Sequence, residues 1–133
     1  MNLHTLNFWA VLTAAFSAFL VGGLWYSPVL FANAWKRANG FTSELPSAGA
    51  RIFGFSFLLS LVMAFNLAMF LNDPKTTTAW GATAGFLAGF GWAATGIAII
   101  SLFERKPASY VLINGGYLTV ALTVMGLILG AWR

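Results

Sequence analysis

The side chains of this sequence that could perform chemistry are few and almost all neutral. The chain has three acidic residues, seven basic residues, one histidine and no cysteine. It contains no pair of carboxylates for general acid–base catalysis, and no Ser-His-Asp or Cys-His set for a nucleophile. His4 stands alone near the N-terminus without a second ligand for a metal or haem, and we interpret it as a headgroup contact. We therefore expect no catalytic, cofactor-binding or metal site, and a protein that is not an enzyme by itself.

Neutral polar residues within apolar segments are the remaining candidates for a functional site. Five of them are predicted to lie together in one half of the fold: Tyr26, Ser27, Thr95, Asn114 and Tyr117. A donor left unpaired in an apolar surrounding costs free energy, so each should find a partner. Two interpretations stay open, namely hydrogen bonds that tie helices together, and a polar pocket or pathway.

Asn114 is the most versatile member of this cluster, because its amide has two donors and an acceptor. Pro28 lacks an N–H and should free the carbonyl of Leu24. We expect Asn114 to bridge that carbonyl and the hydroxyl of Ser27 or Thr95. A second amide, Asn66, lies in another apolar segment.

The segments that must position these residues are too apolar for a soluble domain. Hydrophobic residues make up 59% of the 133-residue chain and charged residues 8%, against about 25% charged in a typical soluble domain. A globule of this size cannot bury that much apolar surface. Buried helices of a soluble protein would also need polar outer faces, and the sequence has none. The composition predicts an integral membrane protein with the lipid bilayer as its main partner.

Four windows without charge are long enough to cross about 30 Å of hydrocarbon as helices. They cover residues 7–31, 52–71, 79–103 and 108–132. We predict an all-α fold, a single four-span transmembrane domain over residues 1–133 that forms a four-helix bundle. The first window is longer than a signal peptide's apolar region and lacks a basic start, so we interpret it as a retained span.

Residues at the ends of the windows indicate where helices begin and end. Pro28 should bend or stop the first span near Tyr26, and a short interfacial helix over 29–38 is expected to follow. Asn39-Gly40 is a left-handed stop for that helix. The other expected signals are a cap at Ser47, a stop at 72–74, a threonine cap within 76–78, and Pro107 in the first turn of the last span.

The basic residues are distributed asymmetrically between the two sides. The first and third loops hold five of the seven lysines and arginines, and the opposite side holds Lys75 and Arg133. By the positive-inside rule, we expect these two loops to be cytoplasmic and both termini to lie outside. Tryptophan and tyrosine residues cluster near both ends of the spans, as interfacial belts do. Because orientation and anionic lipid explain the net charge of +4, we expect no nucleic-acid partner.

Small residues recur at every fourth position in the spans, which permits close approach of helices. The strongest of these stripes consists of Gly81, Gly85, Gly89 and Ala93. Packing inside one bundle is the favoured interpretation, and a dimer contact through this stripe is the alternative.

Motifs at the two ends of the chain resemble a bacterial membrane family catalogued as domain of unknown function 1761. At the N-terminal end the motifs are Asn7-Phe8-Trp9 and Trp25-Tyr26-Ser27-Pro28 with Phe31 and Trp35. Toward the C-terminus they are Asn114-Gly115-Gly116-Tyr117, Met125-Gly126 and Gly130-Ala131-Trp132. The resemblance implies a small four-span protein of the bacterial inner membrane and no particular activity.

Two classes of function remain open. The first is a structural or accessory helical module, either a homo-oligomer or a subunit of a larger membrane complex. The second is an oligomeric permease or channel for a neutral solute or anion. The first span lacks the membrane-embedded acid that small multidrug exporters need, and the charge bias differs from the near balance of dual-topology fluoride channels.

Overall fold

A computed structural model describes residues 3–42 and 49–133, and these residues form helices joined by short turns. After a 3₁₀ turn at Leu3–Thr5, the elements are α1 (Phe8–Trp25), α2 (Ala32–Asn39), α3 (Ala50–Phe70), α4 (Thr78–Ala88), a π-helical segment (Gly89–Ala94), α5 (Thr95–Phe103) and α6 (Ala108–Ala131). The α4, π and α5 segments run on as one helix over Thr78–Phe103. No strand occurs in the described ranges, so the all-α prediction is confirmed.

Four of the helices are long and apolar enough to cross a membrane: Phe8–Trp25, Ala50–Phe70, Thr78–Phe103 and Ala108–Ala131. At 1.5 Å per residue they measure about 27 to 39 Å, which matches a hydrocarbon layer about 30 Å thick. The protein is therefore a membrane protein with four spans.

The first span is shorter than predicted. α1 begins after Asn7, whose side chain accepts hydrogen bonds from the backbone N–H groups of Trp9 and Ala10. It ends at Trp25 rather than at residue 31, because the chain turns over the residues around Pro28. The expected stop near Tyr26 is thus present, and residues 26–31 belong to a turn that the sequence window had included in the span.

The turn leads into the predicted short helix, which covers Ala32–Asn39 rather than 29–38. Gly40 follows it with φ 73°, the left-handed conformation predicted for this stop. α2 packs back against α6, with Ala32 and Ala38 buried.

Caps and stops at the other spans agree with the sequence signals, with one shift. α3 ends at Phe70, just before the predicted stop, and the hydroxyl of Thr77 accepts from the backbone N–H of Trp80 to cap α4. Pro107 is the N-cap of α6, one residue before the first turn where it was expected. The predicted cap at Ser47 lies outside the described residues.

α6 is the central helix of the bundle. It contacts α1 on one side and the continuous helix Thr78–Phe103 on the other, while α3 rests mainly on α1. Ring contacts between Phe8 and Phe65 and between Phe19 and Phe57 show that α1 and α3 are antiparallel. We call the side where α1 begins and α6 ends the terminal side, and the opposite side, which holds α2, the α2 side.

The stripe predicted from Gly81, Gly85, Gly89 and Ala93 faces α6. A Cβ atom built on Gly81 or Gly85 would overlap backbone atoms of Gly126 or Leu122, and one on Gly89 would lie 2.7 Å from the Cα of Thr119. These three glycines are buried and Ala93 is half-buried. Backbone-to-backbone contact of this kind requires glycine, so the stripe packs inside the bundle rather than on its surface.

Candidate functional site

The polar cluster lies on the α2 side, where the end of α1 meets the beginning of α6. The hydroxyl of Tyr26 donates to Asn114 Oδ1 at 2.7 Å. The hydroxyl of Tyr117 donates to the carbonyl of Ala18 at 3.0 Å. Both bonds join α1 to α6, so three of the five predicted residues come together as inter-helix ties.

Trp25 belongs to the same cluster. Its indole Nε1 donates to the carbonyl of Ile113 at 2.8 Å. The ring lies against Gly116, where an added Cβ would come within 2.9 Å of it, and against Phe31 with ring centroids 4.8 Å apart. From the sequence, Trp25 was predicted only as part of an interfacial aromatic belt, although its place next to Tyr26 at a predicted helix end indicated the same location.

The aromatic rings connect the cluster to α2. The ring of Tyr26 lies 5.5 Å from that of Tyr117 and 6.1 Å from that of Trp35, centroid to centroid. Trp35 in turn packs on Phe41 at 5.5 Å. The turn after α1 is therefore fixed by contacts with α6, by contacts with α2 and by contacts among its own aromatic rings.

The other two predicted residues do not join the cluster. The hydroxyl of Ser27 donates to the carbonyl of Leu24 at 2.7 Å, within its own turn. The hydroxyl of Thr95 donates to the carbonyl of Gly91 at 2.7 Å, and its side chain is exposed on the bundle surface. The expected bridge from Asn114 to the Leu24 carbonyl is wrong, because Ser27 occupies that carbonyl and Asn114 accepts from Tyr26.

A groove of about 530 Å³ opens beside the cluster, between α1 and α3. Tyr117 and Tyr26 contribute to its lining together with Ser56 and Ser60 of α3. Gly22 lies beside the Tyr117 ring, and a Cβ there would come within 3.3 Å of it. The remaining lining residues are Ala18, Phe19, Gly23, Ile52 and Phe53.

These groups can donate and accept hydrogen bonds but offer little for bond-breaking chemistry. No cluster of three or more histidine, cysteine or acidic side chains that could hold a metal ion occurs in residues 3–42 and 49–133. The cluster contains two phenols, an amide and an indole, which are typical of structural ties or of a site for a neutral molecule.

The π-helical segment at Gly89–Ala94 was not predicted. It interrupts the third span where Gly89 packs against Thr119, and it places Trp92 on the bundle surface. A π turn adds a residue within a helix, so it shifts the face on which the following residues point. Thr95, which was predicted to join the polar cluster, follows this segment and lies on the bundle surface.

Comparison with known proteins gives a single positive finding. The family model for a protein of unknown function, DUF1761, matches residues 9–130. The chain belongs to the DUF1761 family. This match confirms the family resemblance drawn from the two end motifs. No curated protein and no solved structure matches the DUF1761 chain at a significant level.

Replacing Asn114 by leucine should lower stability modestly, because one inter-helix hydrogen bond is lost. Such bonds in membrane proteins average about 0.6 kcal/mol and stay below about 2 kcal/mol. Tyr26→Phe removes the same bond, so the double variant should lose less than the sum of the single losses in a denaturant titration. Thr95→Val is the control and should change stability little. Fully additive losses for Tyr26→Phe and Asn114→Leu would contradict the tie.

Proposed function

We propose that this DUF1761 protein is a non-catalytic helical module that acts by assembling with other helices in the bacterial inner membrane. It works either as a homo-oligomer or as a subunit of a larger membrane complex. The observation that supports this most is the open arrangement of the spans. α3 rests mainly on α1, and in none of the four spans is more than 33% of the most apolar window buried within the chain.

The packing order also argues against a lumen within one chain. α6 packs against both α1 and the helix Thr78–Phe103, and α3 borders that helix only across a groove of about 300 Å³. The contacts of α6 with α4 are backbone-to-backbone, so no lumen can pass between these two helices. The large exposed side chains on α3 give helices of another chain a surface to pack on.

The orientation that we propose places the α2 side in the cytoplasm and both termini outside. The α2 side holds five of the seven basic residues: Lys36, Arg37, Arg51, Arg105 and Lys106. The terminal side holds Lys75 and Arg133. Trp9, Trp80 and Trp132 lie at the terminal-side ends of the spans. Tryptophan is common at membrane interfaces, so these positions support the same placement of the spans.

Extraction directly from native membranes into polymer-bounded lipid discs tests this function. The protein carries a chromosomal affinity tag at its natural expression level, and the mass of protein per disc is measured. We expect each disc to hold more than one chain, either further 14.3 kDa copies or a stoichiometric partner. Discs that hold a single 14.3 kDa chain throughout would overturn the assembly proposal.

A second function is supported by the groove between α1 and α3. Its volume of about 530 Å³ and its phenol and serine lining would suit a small neutral solute in an oligomeric permease. In vesicles containing the purified protein, solute flux that is abolished by Tyr117→Phe while thermal stability is retained would favour this function. Equal, protein-independent flux in vesicles with and without the chain would favour the assembly module.

A further inference from the structure

The outer face of α3 presents a regular stripe of exposed side chains. The stripe consists of Ile52, Phe55, Leu59, Val62 and Asn66, at alternating spacings of three and four residues. The four apolar members are 58%, 59%, 64% and 58% exposed in chain order, and Asn66 is also exposed. This alternation is the a/d pattern of a left-handed coiled coil.

The stripe lies on the side of α3 away from the core, although Val62 and Asn66 at its end also border an open groove of about 600 Å³ between α3 and α1. α3 buries Ala64 and Ala68. Asn66 is two residues from each of them, which is about 200° around an α-helix. The residues that pack α3 onto the bundle and the residues of the stripe therefore lie on opposite faces of one helix.

Asn66 is the polar member of this apolar stripe. It lies about 9 Å along the axis from the middle of α3, within a hydrocarbon half-layer of about 15 Å. Its amide makes no hydrogen bond to another side chain or to a backbone group within residues 3–42 and 49–133. An amide at this depth gains free energy from a partner on another helix.

We propose that two copies of this chain pair through the α3 stripe in a parallel, two-fold symmetric contact in which Asn66 of one copy meets Asn66 of the other. This inference rests on the assembly function and names its partner, a second copy. An amide is both donor and acceptor, so Asn66 and the partner's Asn66 satisfy each other. When all copies share one orientation, the two-fold axis is normal to the bilayer and brings identical residues to the same depth. A single asparagine at an a position also fixes register in coiled coils.

Cross-linking in native membranes tests the contact directly, because the chain has no cysteine of its own. Single cysteines at Phe55, Leu59 and Val62 should form inter-chain disulfides. Cysteines at Phe53 and Leu58 are matched controls, since both side chains are more than half exposed but lie outside the stripe. The proposal would be overturned if cross-linking is strongest at Phe53 or Leu58, or if it is absent at all five positions.

Energy transfer between donor- and acceptor-labelled copies in vesicles tests the role of Asn66. Asn66→Leu should weaken the dimer about fivefold, and Asn66→Gln should restore part of the affinity. Asn114→Leu is the control and should leave the dimer constant unchanged, because Asn114 is paired with Tyr26 within the chain. An unchanged dimer constant in Asn66→Leu would overturn the proposal.

The two proposals fail in different ways. A complex in native discs that contains one copy of this chain and a different partner would overturn the α3 dimer and leave the assembly function standing. A single chain per disc would overturn both.

Discussion

Replacing Gly126 by alanine should destabilise the protein by about 3 kcal/mol, a large effect for a single methyl group. A Cβ at this position overlaps the carbonyl of Gly81 and lies 3.2 Å from the Cα of Gly85. Neither neighbour has a side chain that can rotate away, so α4 and α6 must separate along their whole contact. Thermal unfolding in detergent, followed by circular dichroism, measures the loss.

Gly96→Ala is the matched control for this substitution. Gly96 lies in α5, and a Cβ there meets nothing within 4 Å. Alanine is the better helix former, so we expect no loss of stability and a small gain. Equal stability of the Gly126→Ala and Gly96→Ala variants would show that α4 and α6 are not in backbone contact.

Replacing Trp25 by alanine should cost about 2–3 kcal/mol. The change removes the hydrogen bond to the Ile113 carbonyl, the ring contact with Phe31 and the packing on Gly116 at once. The loss should free the turn between α1 and α2, so the near-ultraviolet circular dichroism of the cluster should weaken as well.

Trp92→Ala provides the comparison for Trp25. Trp92 is 77% exposed on the bundle surface, so its removal should change the stability of the isolated chain by less than about 1 kcal/mol. A loss in Trp92→Ala as large as that in Trp25→Ala would mean that the cluster does not fasten α1 to α6.

The spans and most of their ends were predictable because they depend on local properties. Hydropathy over about 20 residues locates a membrane helix, and a threonine or glycine at its end acts within one turn. Thr77 and Gly40 both behave as their sequence signals predicted. The end of α1 was placed six residues late, because the turn around Pro28 is as apolar as the helix before it.

The membership of the polar cluster depended on the rotation of each helix, which sequence alone does not fix here. Every face of these spans is apolar, so no polar side marks the direction of lipid. Asn114 was located correctly, yet its partner was Tyr26 rather than Ser27 or Thr95. Thr95 lies outside the cluster directly after the π segment, and no residue type in Gly89–Ala94 signals such a turn uniquely.

The glycine stripe was recognised from its spacing, but only the structure shows which helix it packs against. Glycines at every fourth position indicate a close helix contact without saying which helix is close. The answer depends on α6, where Gly126 and Gly130 present a matching surface. For the stripe on α3, the spacing of the residues can be read from the sequence. Only the structure shows that these residues are exposed.

Cysteine accessibility in intact cells tests most directly the central claim that the chain crosses the bilayer four times in one orientation. Thr77→Cys on the terminal side and Ser109→Cys on the α2 side introduce single thiols into a chain that has none, without altering its charge. A membrane-impermeant reagent should label Thr77→Cys in intact cells and Ser109→Cys only after permeabilisation. Labelling of Ser109→Cys in intact cells, with or without labelling of Thr77→Cys, would contradict the single orientation.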